Sequence, residues 1–448
     1  MQTLSGAASD DRMRKARRDG LYLLSLGAAV FLLLGFALES AARVSTADFR
    51  LVYYSARCIL DGHDPYQEAD LHRTYLVEGG QTPNDTPMTR KTETQFIYPP
   101  TAFSVTLPFA MLPFKLAQVF WLLVTAASMI GAGFLMWELS AQYAPLLAGA
   151  LIGLTLANCE LFLAVAGPGG IAIGFCVMAA WCFVRDRFAL IGVFLLALSL
   201  MLKPHDSALI WLCFLIAGGS YRKRALQTLA VVVGISLPLL AWISYLVPGW
   251  LHELGANLAA NSAHGALSDP GVSSAAGHGI AMIISLQTIF SFFLDEPGFY
   301  NLSSYLVSGV LLAIWLVKMI RSQTSGDGLL FALAAVAPLS MLPVYHRLDD
   351  SKVLLLMLPA CSLLWRERGA FARLAALVTT FQILLTSAIP WAIFLALIKR
   401  VHAPQPGWGT QCVIALQVLP APLILLVVGV FFLWMYLRRD NDMVRTPK

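Results

Sequence analysis

Four apolar runs, 21–38, 116–138, 145–165 and 225–247, constrain this chain more than any motif it carries. A helix needs roughly 20 apolar residues to cross a bilayer. Lipid offers no partner to open backbone groups, so the crossing elements must be helices. The remainder is nearly as apolar: of 448 residues 58% are hydrophobic and 13% charged, with a mean hydropathy of +0.70. A water-soluble domain of this length has no interior large enough for that composition. Shorter runs, or runs broken by Gly and Pro, place further spans near 169–184, 188–202, 206–218, 302–320, 327–343, 353–365, 374–398 and 412–437. The expectation is an all-α polytopic membrane protein, one domain over 1–448, with about 12 transmembrane helices.

The cations fix an orientation. Arg12, Arg14, Lys15, Arg17 and Arg18 lie in a basic tail, 1–20, ahead of the first span. Arg185/Arg187, Arg222/Lys223/Arg224, Lys318/Arg321, Arg366/Arg368/Arg373 and Arg438/Arg439 fall in alternate loops or in the tail 438–448. The positive-inside rule assigns all of them, and both termini, to the cytoplasm. The net charge of +5 therefore reflects topology and not a nucleic-acid partner. No small-residue cleavage site follows the first run, which reads as a retained helix and not a signal peptide. The seven cysteines are scattered without metal-ligand spacing and read as packing residues.

This topology puts most of the informative polar sequence on the opposite, outward face. The first outward loop, 39–115, holds Asp48-Phe49, Asp61-Gly62-His63-Asp64-Pro65-Tyr66, a polar stretch through Asn84, and Phe96-Ile97-Tyr98-Pro99-Pro100. Its apolar piece 101–112 is too short to span and reads as an interfacial or re-entrant helix. A second long loop, 248–301, carries Asn257, Asn261-Ser262, His264-Gly265 and an amphipathic piece at 280–294. Sequons stand at Asn84 and Asn301.

Asp48 is the leading catalytic candidate. It sits between aromatic residues near the membrane surface, where desolvation lifts a carboxylate's pKa toward the working range of a general base. The plain alternative is a solubilising loop carboxylate. Asp61 and Asp64 are ordinary turn formers in Asp-Gly and Asp-Pro pairs. Lys203 ends a span on the face where the charge rule disfavours cations, which suits a phosphate anchor, although a lysine there can also snorkel. His346 and Arg347 break the same rule. Arg grips phosphate bidentately and His shares protons, while an Arg347 salt bridge to Asp349 or Asp350 would merely organise the turn. Glu160, a carboxylate at membrane depth, is a functional candidate by position, or a partner for Lys203 or a backbone group.

Asp48-Phe-x-x-x-Tyr53-Tyr54, Gly62-x-Asp64-Pro65-Tyr66, Phe96-x-Tyr98-Pro99-Pro100 and Leu112-Pro113 stand in an order that resembles glycosyltransferase family 87, and Lys203-Pro204, Asn261-Ser262-x-x-Gly265 and Tyr345-His346 extend the likeness over about 40–360. These are polytopic GT-C enzymes, typified by polyprenyl-phosphate-mannose-dependent α-1,2-mannosyltransferases. The resemblance implies a GT-C-like bundle whose long extracytoplasmic loops bear short interfacial helices. It makes Asp48 the catalytic base and brings Lys203 and His346, with Arg347 beside them, to the lipid phosphate. Tyr53, Asp64, Tyr66, Tyr98, Glu160, Asn261 and His264 would surround sugar or acceptor. One departure is that relatives often carry Gly-Gln after the third span, where this chain reads Gly167-Pro168-Gly169-Gly170.

The implied reaction is a single-step inverting transfer of a sugar, mannose by the resemblance, from a polyprenyl-phosphate-linked donor to a hydroxyl of a glycolipid or glycan acceptor. Membrane lipid is the remaining partner. A leaving group with one phosphate can be neutralised by protein cations, so neither a metal nor another cofactor is expected. The expected location is a bacterial inner or plasma membrane with the site facing outward. The competing classes are a lipid-linked sugar transporter or flippase, which would show internal repeats and ionisable groups at the bilayer midplane, and a polyprenyl-lipid binder without chemistry.

Overall fold

The computed structural model describes residues 2–41, 46–78, 95–266, 268–271, 283–322, 326–401, 414–416 and 418–445. The sequon at Asn84 and its polar stretch lie outside the described residues. The secondary structure is helical: α1 Gln2–Ala41, α2 Ala47–Leu60, α3 Glu68–Val77, α4 Phe103–Ala110, α5 Phe114–Ser140, α6 Pro145–Ala157 and the single turn α7 Leu161–Ala164. They are followed by α8 Gly169–Val184, α9 Ala189–Leu202, α10 Pro204–Ala217, α11 Gly219–Leu246, α12 Trp250–Asn261, α13 Leu286–Phe293 and α14 Pro297–Arg321. The last group is α15 Asp327–Met341, a 3-10 helix Asp349–Met357, α16 Leu358–Glu367, α17 Ala370–Leu385, α18 Ala388–Val401 and α19 Pro420–Arg445.

Six helical stretches among the described residues are long and apolar enough to cross a membrane: Asp11–Ala41, Phe114–Ser140, Pro145–Ala164, Gly219–Leu246, Pro297–Arg321 and Pro420–Arg439. Shorter apolar helices, Gly169–Val184, Ala189–Leu202, Pro204–Ala217, Asp327–Met341 and Ala370–Leu385, stand among them. The chain is an integral membrane protein by this content. Two expected spans take another form. The run 353–365 divides between the 3-10 helix and α16, and 374–398 breaks at Thr386-Ser387 into α17 and α18. At that break the buried Lys352 Nζ donates to the Thr386 carbonyl at 2.9 Å, a cation on an open helix end.

Burial separates the helices into centre and rim. Every residue of α15 from Leu329 to Met341 is buried, as expected of a helix apolar on all sides. It packs against α19, α10 and the 3-10 helix. By contrast α11 buries only 11% of its apolar window and turns Leu226, Leu229, Leu237 and Tyr245 outward, so its flank faces lipid.

The closest helix pair is α1 with α6. A Cβ built on Gly20, Gly27, Gly149 or Gly153 would run into the opposite backbone. Gly149 and Gly153 are spaced as Gly-x-x-x-Gly, the pattern that lets membrane helices touch main chain to main chain. Leucine at Gly153 must therefore push α1 away. Gly153→Leu is expected to lower stability by about 1–3 kcal/mol or more, read as a lower melting temperature in detergent. Gly309→Leu, at a lipid-side position with open space around it, should melt like the wild type.

Candidate functional site

The site is built around the start of α2. Backbone N–H groups of Thr46 and Asp48 donate to the carbonyls of Ala164 and Val165 at 3.3 and 3.1 Å, pinning that start to the end of α7. Asp48 lies in the first helical turn, where a carboxylate is favoured by the helix dipole. Phe49 behind it packs on Trp121 with ring centres 5.1 Å apart, and the Trp121 indole donates to Ala166 O at 2.8 Å. Asp48 therefore stands on a small helix amid packed aromatics and not in an open loop.

The turn Gly167-Pro168-Gly169-Gly170 forms the floor. A Cβ at Gly167 would lie 2.8 Å from Asp48 Oδ2, and one at Gly169 would lie 3.4 Å from Lys203 Nζ and 3.5 Å from Asp350 Oδ1. Two residues of floor thus separate the Asp48 carboxylate from the Lys203 ammonium. The three glycines in four residues are a usable sequence signal: they are where side chains from elsewhere crowd the backbone.

Lys203 joins the end of α9 to the start of α10. Its Nζ pairs with Asp350 Oδ1 and, at 3.2 Å, with Asp206 Oδ2. Asp350 Oδ2 accepts the main-chain N–H of Arg347 at 2.9 Å. The Arg347 salt bridge weighed as the plain alternative is not among the ion pairs of the described residues: Asp350 takes Lys203, and the Arg347 guanidinium turns to the Tyr345 hydroxyl and ring. The loop bearing these residues is held by two backbone bonds of 2.9 Å, Ile284 N–H to His346 O and Leu286 N–H to Leu342 O. Sequence reasoning gave no role to Asp206, to His205 beside the Lys203-Pro204 pair, or to Tyr345, which it met only as a motif neighbour of His346.

Electrostatics follow from this packing. Burial pushes the Asp48 carboxyl above its ordinary value, opposed by Arg347 and Lys203 and reinforced by Asp350. Burial pulls Lys203 down, but Asp206 and Asp350 outweigh it and hold the ammonium well above its usual range. Burial lifts the Tyr98 phenol strongly, and the Asp48 charge adds to that lift. Tyr98 therefore lies within reach of the Asp48 charge.

The remaining candidates divide. Tyr53 is 1% exposed and donates to Leu112 O at 2.8 Å, and Tyr66, equally buried, donates to Tyr98 O at 3.0 Å. Asp64 accepts the Tyr66 N–H at 2.8 Å, so all three side chains are engaged in packing the first loop. Asn257 ties that loop to the second by donating to the Tyr66 and Phe96 carbonyls at 2.8 and 3.1 Å. Asn261 reaches the site indirectly, donating to Ser268 at 2.8 Å, while Ser268 bonds Tyr345 and Tyr345 bonds Arg347. His264 sits 3.1 Å from Asp269, whose carboxylate also accepts from Tyr300 and from the Gly265 and Gly271 N–H groups. Glu160 is fully buried; of its two weighed pairings, Lys203 or a backbone group, no ion pair to Lys203 forms among the described residues, and the cation whose charge acts on it is Lys352. His346 is 1% exposed and turns its Nε2 toward Asp206 Oδ1 at 3.6 Å, behind the Lys203 pair.

An all-helical membrane protein whose buried carboxylates and cations converge on the loop between two helices is built for chemistry on a substrate at that end of the bundle. The class is a membrane glycosyltransferase: a model of glycosyltransferase family 87 matches residues 96–343, more than half of the chain, and the protein belongs to that family. The matched segment contains Gly167, Lys203 and Asp206, and leaves Asp48 before it and His346, Arg347 and Asp350 just after it. No curated protein and no solved structure matches the chain.

Removing one partner of a buried ion pair leaves the other uncompensated, at about 3–5 kcal/mol. Lys203→Met should accordingly lower stability by roughly 3 kcal/mol in denaturant titrations. Adding Asp350→Asn to it should recover part of that loss, because the amide oxygen still accepts the Arg347 N–H.

Proposed function

We propose that the protein transfers a sugar, mannose by the family resemblance, from a polyprenyl-phosphate donor to a hydroxyl of a glycolipid or glycan acceptor. Asp48 is the general base. It takes the acceptor proton as the hydroxyl oxygen bonds to the anomeric carbon and the bond from that carbon to the phosphate oxygen breaks. Lys203 and Arg347 stabilise the charge arriving on the leaving phosphate. His346 acts at one remove, through Asp206 and Lys203. A β-linked donor gives an α-linked product. The polyprenyl tail lies in the outer leaflet among the rim helices, with the reaction at the extracytoplasmic face and both termini cytoplasmic.

The observation that carries this reading is the meeting of Asp48, Lys203 and Asp350 over Gly167 and Gly169. A base and a cation on one floor, at the mouth of a lipid-embedded bundle, suit a reaction that removes a proton at one end and releases an anion at the other. Reacting atoms must approach to about 3–3.5 Å, and glycines at the floor keep that space open.

Two outcomes test the reading, both measured with radiolabelled polyprenyl-phosphate mannose and membrane extract as acceptor. Asp48→Asn should reduce transfer by about 100-fold or more, within the range of general-base catalysis, with donor binding retained. Because burial raises the Asp48 pKa, the charged form is the costly one in the folded protein. The stability contributed by its proton is present at low pH and lost as pH rises through the raised pKa. Asp48→Asn should therefore melt no lower than the wild type at neutral pH. The wild-type rate should rise with pH along a limb set above the ordinary carboxylate range, and turnover by the Asn variant near the wild-type level would remove Asp48 from the role.

A further inference from the structure

Behind Lys203, three side chains face one another without satisfying one another. His205 Nε2 and His346 Nε2 each lie 3.6 Å from Asp206 Oδ1, and the three ligand atoms fall within 4.8 Å of one another. Asp206 and His346 are 2% and 1% exposed, and Asp206 Oδ1 and His346 Nε2 have no hydrogen-bond partner. His346 Nδ1 lies 3.0 Å from the Val344 carbonyl. That contact makes Nδ1 a donor, so in the neutral ring Nε2 carries the lone pair that faces Asp206. A lone pair and a carboxylate oxygen held face to face in a buried site repel unless something positive lies between them.

We propose that His205, Asp206 and His346 form a divalent transition-metal site, with zinc as the fitting ion. Two imidazoles and one carboxylate suit zinc and its neighbours, whereas magnesium and calcium prefer all-oxygen shells. Tetrahedral zinc with bonds of about 2.0–2.1 Å sets its ligand atoms about 3.4 Å apart, close to the two separations of 3.6 Å. An imidazole whose second nitrogen donates to a backbone carbonyl is the usual outer support of a metal-bound histidine. Lys203 occupies Asp206 Oδ2 at 3.2 Å and leaves Oδ1 to ligate. His205, with its side chain 37% exposed, marks the path by which an ion enters.

Three protein ligands leave a fourth position for water or a substrate oxygen. This inference departs from the expectation that no metal is needed, and it does not rest on the sugar-donor reading. A protein that binds zinc without transferring sugar would sink that reading and leave this one standing.

The test uses full-length protein in detergent, purified without a histidine tag, stripped with a chelator and then reloaded with zinc alone. After gel filtration the wild type should hold about one zinc per chain by elemental analysis, and its melting temperature should rise on reloading. His205→Ala, at a partly exposed position that should not disturb folding, is expected to weaken zinc binding by about 10-fold or more in competition with a chromophoric chelator. His346→Gln should behave likewise, and neither variant should gain melting temperature from zinc. Wild-type protein that retains no zinc after reloading, or variants that bind it as tightly as the wild type, would overturn the proposal and leave a proton shared by Asp206 and His346 as the occupant.

Discussion

The structure of the site depends on one buried ion cluster, Lys203 between Asp350 and Asp206. It joins segments almost 150 residues apart in the chain, the α9–α10 junction and the start of the 3-10 helix. Removing these charges from water costs several kcal/mol per ion, and only close pairing offsets that cost. The cluster therefore tolerates little displacement. Through Asp350 it holds the main chain at Arg347, and that loop is held in turn by residues 284 and 286 of the second long loop.

The two long loops behave as one body. Asn257 bridges them, the Tyr66 ring meets Trp250 across the seam, and the Asn261–Ser268–Tyr345 chain carries the second loop to Arg347. The Tyr53 and Tyr66 hydroxyls both donate to main-chain carbonyls within the first loop, which helps to fix α2 and with it Asp48. A base held on a rigid element keeps its distance to the reacting atoms, and catalysis depends steeply on that distance.

The helices were legible in detail. The expected span 169–184 is α8, and 188–202 and 206–218 fall on α9 and α10 nearly to the residue, because apolar runs bounded by Arg, Lys-Pro or Gly leave few alternatives. The break at Thr386-Ser387 has a local cause, because Pro390 has no N–H to offer the Thr386 carbonyl, but that Lys352 reaches across to take that carbonyl is shown only by the structure. At the site, Asp48 and Lys203 stood out because each violates a local rule, a carboxylate among aromatics and a cation on the disfavoured face. Asp206 and His205 violate none and were given no role.

The sequence by itself determined that the chain lives in a membrane, that it is helical, and that Asp48 and Lys203 are unusual charges for where they stand. Those properties follow from hydropathy and charge placement, which are sums over neighbouring residues. The tertiary structure alone decided the partners: Asp350 for Lys203, the Thr386 carbonyl for Lys352, and Asp206 between two histidines. A buried charge is stabilised by whatever stands within a few ångströms of it, and in this bundle those neighbours come from opposite ends of the chain.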